Sequence, residues 1–362
     1  MKLNKMFLPV LAGSLLAGAA QAQVNLTITG STSFRSITFD RVKSLFDPGY
    51  TSDGNFGTGP GTYSGTMSNS VPSLGPTPVT VRLSFSGSAA GMEAVDAGTP
   101  VPTINPITGT TNNVAPDISL SDVYPESAQP PLDSSDFEQA IVGVIPFVWV
   151  RNNALTGITN ITREQAVLLM SSSGIITNAG QPVFGMPASF LAGSSTNPVY
   201  LTGRDSGSGT RISVHKDIGY TGTSPRMWGL DSLGNLVLTN GYSSGGSERT
   251  VIANNANVIG YLGVADAGAI SASATQIAYE GVPFSIPAVQ NGAYPIWGYE
   301  HLVNRTSALS DNQTQIRDAL IAALTNQEFQ TTNTLYTVNF VDQANMKVKR
   351  GTDGGTITSL SF

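Results

Sequence analysis

Three short turns built from small residues are the part of this sequence best suited to chemistry. They are Gly30–Ser33, Ser86–Gly91 and Gly203–Thr210. Glycine lets a ligand approach the backbone closely, and serine and threonine hydroxyls add hydrogen-bond donors. Arg204, in the third turn, adds a planar guanidinium that can contact two oxygens at once. Neutral donors around one fixed cation suit a compact oxyanion such as phosphate or sulfate.

Each of the three turns follows a predicted strand and precedes a predicted helix. In an open α/β sheet, ligands bind beyond the carboxyl ends of the strands, where amides at helix N-termini have no intrahelical partner. The three turns can therefore converge on one ligand. The strands are expected over Val24–Thr29, Val79–Phe85 and Val199–Thr202, and the helices are expected to continue from Phe34, Met92 and Arg211.

The rest of the chain continues this α/β pattern. Ala140–Val150 is almost entirely apolar, which indicates a buried central strand or a crossover between domains. Thr162 and Gln165 form a capping-box pattern at a helix start. Pro48–Pro78 and Gly98–Pro116 show no apolar period and are expected to be long loops. Further expected elements are a hairpin over Leu230–Thr239, a helix over Ser247–Ala256, a buried strand over Val258–Val264 and a helix carrying Ile316, Leu320 and Leu324.

The composition excludes several classes of function. With 362 residues the chain has room for two domains, and 18 basic against 24 acidic residues give a net charge of −6, which argues against nucleic acid as a partner. The chain has no cysteine and only two histidines, so disulfides, cysteine-bound zinc and iron–sulfur clusters are excluded. We expect no metal and no organic cofactor.

Residues 1–22 have the pattern of a secretory signal peptide. Lys2 and Lys5 precede an apolar run, and Ala20-Gln21-Ala22 is a small-x-small cleavage site. The run is shorter than the ~20 residues that span a bilayer. We expect cleavage after Ala22 and a periplasmic or secreted chain.

Six sequence blocks, in order, resemble the periplasmic phosphate-binding protein of phosphate ABC transporters. They are ITGSTSF at 28–34, FSGSAAG at 85–91, DISLSD at 117–122, RDSGSGTR at 204–211, IGYLG at 259–263 and YPIWGY at 294–299. Two further segments between the third and fourth blocks, VGVIPFVWV and NITREQAVLLM, are also similar to that family.

The resemblance implies an α/β chain with the two-lobed type II periplasmic-binding-protein fold, its lobes joined by a hinge of crossing strands. Lobe I would comprise residues 23–139 and 297–362, and lobe II residues 140–296. The lobes would close on inorganic phosphate, and the protein would act as a monomer that delivers phosphate to an inner-membrane ABC permease. It would not be an enzyme.

Carried over residue by residue, the resemblance implies a phosphate site made from all three turns, with Ser88 or its neighbour Ala89 at the second. Asp122 would accept a hydrogen bond from protonated phosphate, and it would repel fully ionised sulfate. On local sequence alone, Asp122 could instead be a helix cap or turn residue, and Arg204 could form a surface ion pair with Asp205. The implied site residues are Ser33, Phe34, Ser88, Ala89, Asp122, Arg204, Ser208, Gly209 and Thr210.

Two other functions stay open at this level. Ser208 precedes His215 by seven positions, which could suggest a hydrolase, but there is no G-x-S-x-G elbow and His215 is expected on an exposed helix face. The other is a secreted or surface protein of the same fold that does not serve transport, or a binder of another oxyanion.

His301 is expected at a helix start. A basic patch is expected from Lys347, Lys349 and Arg350.

Overall fold

A computed structural model describes residues 22–171, 175–178, 181–184, 186–191, 198–222 and 225–360. Apart from Ala22, the predicted signal peptide lies outside these residues. Within these ranges, no helix has the length and apolar character needed to cross a membrane.

One mixed sheet organises the molecule. Twelve of the described strands belong to it, and two-stranded hairpins lie around it. The described strands are β1 (Val24–Gly30), β2 (Thr51–Gly54), β3 (Gly61–Gly65), β4 (Val79–Leu83), β5 (Val101–Ile104), β6 (Thr111–Val114), β7 (Ile118–Ser121), β8 (Phe137–Asn152), β9 (Asn160–Ile161), β10 (Ile175–Asn178), β11 (Gln181–Phe184), β12 (Met186–Pro187), β13 (Pro198–Leu201), β14 (Met227–Leu230), β15 (Leu236–Thr239), β16 (Val258–Gly263), β17 (Ala274–Tyr279), β18 (Trp297–Arg305), β19 (Val348–Lys349) and β20 (Thr358–Ser359).

Helices connect the strands of the sheet. Short 3-10 turns occur at Pro72–Leu74, Pro125–Ser127, Ser134–Asp136 and Gln343–Asn345. The described α-helices are α1 (Arg35–Leu45), α2 (Ser88–Ala97), α3 (Arg163–Ser171), α4 (Ala188–Leu191), α5 (Gly209–Ile218), α6 (Gly245–Asn254), α7 (Val264–Gly268), α8 (Ile286–Gln290), α9 (Asp311–Leu324), α10 (Gln327–Thr332) and α11 (Thr334–Asn339).

The long strand β8 joins the two halves of the sheet. Its first part, Phe137 to Pro146, pairs antiparallel with β18, and its second part, Phe147 to Arg151, pairs antiparallel with β16. Beyond β18 the sheet continues through β7, β1 and β4, and beyond β16 it continues to β13. The apolar run Ala140–Val150 is therefore both a buried strand and a crossover between the halves.

Parallel pairing brings the predicted turns to one region of the sheet. Strand β1 pairs in parallel with β4 and with β7, so the segments that follow these three strands lie side by side. Strand β13 pairs in parallel with β16 in the other half. Apolar side chains such as Leu26, Ile28, Val81 and Leu83 are fully buried and fix this arrangement.

Two segments predicted as loops contain strands. Pro48–Pro78 holds the β2–β3 hairpin, whose strand β3 pairs with β4 at the edge of the sheet. Gly98–Pro116 holds the β5–β6 hairpin. The loop prediction is wrong because β2 is exposed throughout and β6 is exposed or half-buried, so neither strand needs an apolar alternation.

Three residues predicted on an exposed helix face, at a helix start or in a basic patch are buried. His215 lies on α5, where eight of ten residues are buried, so this helix has little exposed face to offer. His301 lies within β18 rather than at a helix start and is 1% exposed. Arg350 is not part of an exposed basic patch, because its side chain is buried and forms an ion pair with Asp217.

Candidate functional site

The first turn fixes Ser33 at the entrance of α1. The chain leaves β1 through Gly30, whose φ of +111° favours glycine, and a Cβ there would lie 2.0 Å from a backbone oxygen of β7. The Phe34 amide donates a 3.3 Å hydrogen bond to the Ser31 hydroxyl, and the Phe34 ring is fully buried. The Ser33 hydroxyl is thereby held 3.3 Å from the hydroxyl of Thr210 in the third turn.

The second turn meets Asp122 directly. Gly87, with a φ of +129°, precedes α2, and Ser88 is the first residue of that helix. The Ser88 hydroxyl donates a hydrogen bond to Oδ1 of Asp122, and the Asp122 amide donates to the Ser88 hydroxyl at 3.4 Å. Asp122 follows β7 immediately and is 1% exposed. No described helix begins there, so the alternative of a helix cap is wrong.

The second and third turns also touch each other, although they belong to different halves of the sheet. The amides of Ala89 and Ala90 donate hydrogen bonds of 3.1 and 3.2 Å to the carbonyl oxygen of Gly207. Gly209 packs on Asp122 so closely that a Cβ at position 209 would lie 1.5 Å from Oδ1.

Arg204 is held rigidly within the third turn. Its Nε donates to the carbonyl of Tyr242 at 2.9 Å, and its Nη2 donates to the carbonyl of Ser243 at 2.7 Å and to the hydroxyl of Thr32 at 3.2 Å. The side chain forms no ion pair with any residue in the described ranges, so the alternative of a surface ion pair with Asp205 is wrong. The 2% exposure of Arg204 agrees with this role inside the molecule.

The remaining side-chain contacts complete the third turn. Nη1 of Arg204 donates to the Thr210 hydroxyl at 3.4 Å. Ser208 is the N-cap of α5, and its hydroxyl accepts a 3.4 Å hydrogen bond from the Arg211 amide. Thr210 thus links the guanidinium of Arg204 to the hydroxyl of Ser33 in the first turn.

Burial dominates the electrostatics of this site. It raises the pKa of Asp122, while the hydrogen bond from Ser88 and the charge of Arg204 oppose the shift. Glu300, in β18, is fully buried, and burial together with the charge of Asp122 raises its pKa well above the usual range. The Ser31 hydroxyl is near enough to oppose that shift, but neither Glu300 oxygen reaches hydrogen-bond geometry with a described residue. Burial therefore disfavours the charged form of both carboxyls.

The nine residues predicted for the site come together in two ways. The side chains form two hydrogen-bonded sets, Ser88 with Asp122 and Ser33 with Thr210 and Arg204, and Gly209 packs against Asp122 and Ser88. The other three predicted residues contribute a core side chain, a backbone amide and a helix N-cap. Phe34 presents its ring to the core against Phe340, Ala89 offers its amide, and Ser208 caps α5.

Four further residues at the site escaped the sequence analysis. Thr32, Tyr242 and Ser243 hold Arg204, the last two through carbonyl oxygens that carry no side-chain signal. Glu300 could have been noticed, because it is a lone carboxylate in the otherwise uncharged run Trp297–Val303. A charged residue within a buried strand calls for a partner or a function.

The fold is that of the two-lobed periplasmic binding proteins. An ABC-type phosphate transport receptor from Vibrio cholerae matches with a TM-score of 0.51 at 16% identity, over 82% of this chain and 93% of that one. A protein from Clostridium perfringens described as a phosphate ABC transporter substrate-binding protein, with bound phosphate, matches with a TM-score of 0.54 at 15% identity, over 88% of this chain and 98% of that one. No protein-family model and no curated protein sequence matches the chain. The expected α/β, two-lobed fold is confirmed.

Proposed function

We propose that this chain is an exported solute-binding protein that captures inorganic phosphate between its two lobes and delivers it to an inner-membrane ABC permease. The observation that carries the proposal is the approach of two hydrogen-bonded sets at Gly209, although they come from both halves of the sheet: Ser88 with Asp122, and Ser33 with Thr210 and Arg204. One guanidinium, several hydroxyls and one acceptor carboxyl match the chemistry of a partly protonated phosphate. The shared fold with proteins named for phosphate supports this choice of anion.

Capture would use a hinge. In this proposal, lobe I comprises residues 23–139 and 297–362, lobe II comprises residues 140–296, and the crossing strands β8 and β18 form the hinge. The hydrogen bonds from Ala89 and Ala90 of lobe I to Gly207 of lobe II join the second and third turns. Entry of an anion requires these turns to separate, after which the same donors can turn to its oxygens.

Asp122 would select the protonation state of the ligand. A buried carboxylate repels an anion unless a proton lies between them, so Asp122 accepts well from HPO4 or H2PO4 and disfavours ionised sulfate. The discrimination comes from an unmatched buried charge, which costs more than a lost neutral hydrogen bond.

The proposal includes no enzymatic activity. A nucleophile and base would require Ser208 and His215 to interact, but the Ser208 hydroxyl caps α5. His215 packs its ring against Tyr220 and Tyr261, and burial lowers its pKa to about 3. Neither group is arranged for proton transfer to the other.

Export and assembly belong to the same proposal. Cleavage after Ala22 would release a free periplasmic or secreted chain, and we propose that it works as a monomer without metal or cofactor. Mass spectrometry of the exported protein tests the cleavage site, and sedimentation tests the monomer.

Isothermal titration of the mature chain with phosphate and then sulfate tests the function. Unfolding and refolding before the titration removes any ligand that copurifies. One-to-one binding of phosphate with little heat from sulfate is expected. Absence of binding by both anions would overturn the proposal and favour a secreted or surface role, whereas preference for sulfate would favour a different oxyanion.

The variant Asp122→Asn tests the selection mechanism. Asparagine keeps the shape but loses the charge and offers an N–H donor, so phosphate affinity should fall and sulfate affinity should rise. We expect the phosphate-to-sulfate ratio to shrink by about tenfold or more, since one charged hydrogen bond is worth ~1.5–3 kcal/mol. An unchanged ratio would remove Asp122 from the site.

A further inference from the structure

A cavity of about 570 Å³ adjoins the proposed phosphate site. Its wall includes Thr32, Ser33, Arg35 and Ser36 of the first turn and α1, residues 244–247 and Arg249 at the start of α6, and Asp266. Ser33 belongs both to this wall and to the contact with Thr210. The volume lies within the roughly 300–1,000 Å³ of sites that hold small organic molecules, and it exceeds the needs of a single compact anion.

The cavity holds an arginine without a counter-ion. Arg35 is 9% exposed, its Nη1 donates to the carbonyl of Gly57 at 3.2 Å, and its buried Nε has no hydrogen-bond partner in the part of the chain that the structure describes. No ion pair involves Arg35 in the same ranges. A guanidinium that is nine-tenths buried and unpaired is costly unless an anion meets it, because burial removes its hydration.

Other groups on the wall reinforce the positive field. Arg249 enters from α6 on the opposite lobe and pairs with Asp266 at 2.9 Å. Burial lowers the pKa of Arg35, Asp266 opposes this shift, and the charge of Arg204, which lies outside the wall, adds to it. Because Asp266 pairs with Arg249, it leaves Arg35 without an ion pair among the described residues.

The first turn of α6 supplies neutral donors to the same space. The ten-residue helix begins after its N-cap Ser244, whose hydroxyl accepts from the Ser247 amide at 3.2 Å. At Gly246 the Ser244 hydroxyl is the one described atom within 4 Å of where a Cβ would stand, apart from the neighbouring residues and the backbone of the helix, so the side-chain position is open to a ligand. The positive end of the helix and the unpaired Arg35 then face one cavity.

Arg204 connects the two spaces. Its Nη2 contacts the hydroxyl of Thr32, on the cavity wall, and the carbonyl of Ser243, next to the N-cap of α6. Its Nη1 contacts Thr210 in the proposed phosphate site. A ligand whose phosphoryl group lies against Ser33 and Thr210 can extend past Ser33 into the cavity.

We propose that this cavity is a second anion subsite and that the ligand is a small phosphate compound carrying a further anionic group, which Arg35 and the start of α6 bind. This inference rests on the proposed phosphate site. A condensed phosphate and a phosphomonoester with a carboxylate share the required chemistry. Inorganic phosphate would occupy the first subsite alone.

Four titrations of the refolded mature chain test the inference: inorganic phosphate, pyrophosphate, 3-phosphoglycerate and glycerol 3-phosphate. The last two differ chiefly in whether the far end bears a carboxylate. We expect pyrophosphate or 3-phosphoglycerate to bind about tenfold or more tightly than glycerol 3-phosphate, in line with one charge-assisted hydrogen-bonded pair. Which of the two binds tightly identifies the source of the second anion.

Variants test whether the cavity is responsible for the tighter binding of ligands with a second anionic group. Arg35→Gln should weaken the ligand with two anionic groups by about tenfold or more and weaken phosphate by less than about threefold. Ser36→Glu, at an exposed position on the wall, should do the same without disturbing the core. Lys43→Gln removes one charge from an exposed position of the same helix away from the cavity and should change neither affinity.

The outcomes separate this inference from the proposed function. If phosphate binds but neither compound with a second anion binds better than glycerol 3-phosphate, the subsite is refuted and phosphate capture stands. Equal losses for all ligands in Arg35→Gln and Ser36→Glu would also refute it. Binding of pyrophosphate or 3-phosphoglycerate without binding of phosphate would support the subsite and overturn inorganic phosphate as the cargo.

Discussion

Gly209 occupies a position where a single methyl group matters. A Cβ there would lie 1.5 Å from Oδ1 of Asp122 and 2.7 Å from the Ser88 hydroxyl. Backbone freedom is not the reason for glycine here, because Gly209 lies in the first turn of α5 and has no positive φ. Glycine is needed because the first turn of α5 packs directly on Asp122 and Ser88 at this residue.

Gly209→Ala should therefore impair ligand binding more than stability. We expect phosphate affinity to fall by about tenfold or more, since the added methyl displaces Asp122 and Ser88 or keeps the turns apart. Titration calorimetry measures the affinity and thermal unfolding measures the stability. The matched control is Gly157→Ala, where no atom lies within 4 Å of the added Cβ. Equal affinity in both variants would contradict this account.

Glu248 makes the stability depend on pH. It is fully buried on α6, Oε1 accepts a 3.2 Å hydrogen bond from the Tyr261 amide, and Oε2 has no partner in the described ranges. Burial raises its pKa from 4.5 to about 8, against the opposing charge of Arg204. A carboxyl with a raised pKa in the folded state contributes stability that is fully present below pH 4.5 and is lost as the pH rises through 8.

Glu248→Gln should flatten this part of the stability profile. Glutamine keeps the shape and the neutral state, so the variant should lose less stability than the wild type between pH 5 and pH 8. The difference has a limiting slope of about 1.4 kcal/mol per pH unit. Chemical denaturation at several pH values measures it, with the exposed Glu164→Gln as the control. Parallel profiles for wild type and Glu248→Gln would show that the Glu248 carboxyl does not retain its proton in the folded state.

At the scale of elements, α2 packs closely against β1 at two glycines, Gly91 and Gly30. A Cβ at Gly91 would lie 2.5 Å from the Cα of Gly30 and 2.6 Å from the Ser119 hydroxyl. This close approach sets the height of α2 above the sheet. Because Ser88 and Ala89 form the first turn of α2, the close packing of α2 on β1 also positions the second turn of the site.

Gly91→Ala should consequently disturb both stability and binding. We expect a destabilisation of about 1–3 kcal/mol, since the methyl group would push α2 from β1. Phosphate affinity should fall as well, because Ser88 moves with the helix. Urea unfolding and titration calorimetry test the two effects, again beside Gly157→Ala. A stable variant with wild-type affinity would show that α2 can shift without affecting the site.

Elements with strong local signals were predictable from the sequence. Thr162 and Gln165 form the expected capping box, with hydrogen bonds of 2.9 and 3.2 Å between side chains and backbone amides. Ile316, Leu320 and Leu324 form the buried face of α9. The β2–β3 and β5–β6 hairpins escaped prediction because one strand of each, β2 or β6, is exposed or half-buried and carries no apolar alternation.

At the scale of the whole molecule, the C-terminal segment fastens distant elements together. The Arg350 guanidinium contacts Asp217 of α5 at 2.5 Å, donates to the carbonyl of Pro295 and lies 4.2 Å from the centre of the Trp297 ring. Both partners of the ion pair are almost fully buried. Asp353 accepts a 2.9 Å hydrogen bond from the Tyr124 amide.

Arg350→Gln should destabilise the protein strongly, by about 3–5 kcal/mol, because it leaves the Asp217 carboxylate buried without its cation. The double variant Asp217→Asn with Arg350→Gln should recover much of the loss, since no unpaired charge stays in the interior. A double-mutant cycle of unfolding free energies measures the coupling. Additive losses would show that the pair contributes through packing alone.

The strand–turn–helix units and the residue types within the three turns could be predicted from the sequence. These features depend on neighbours a few positions apart, so spacing and composition reveal them. The resemblance of ordered blocks added the implied site residues, and the structure joins Ser88 to Asp122 and Ser33 to Thr210 and Arg204.

The surroundings of those residues depend on contacts that form only in the folded protein. The 177 positions between Ser33 and Thr210 are bridged by the order of strands in the sheet, which local patterns do not encode. The same holds for the burial of Glu300, His301 and Arg350 and for the unpaired Arg35 in its cavity. Burial and charge balance are sums over contacts from remote segments, so they exist only once the chain has folded.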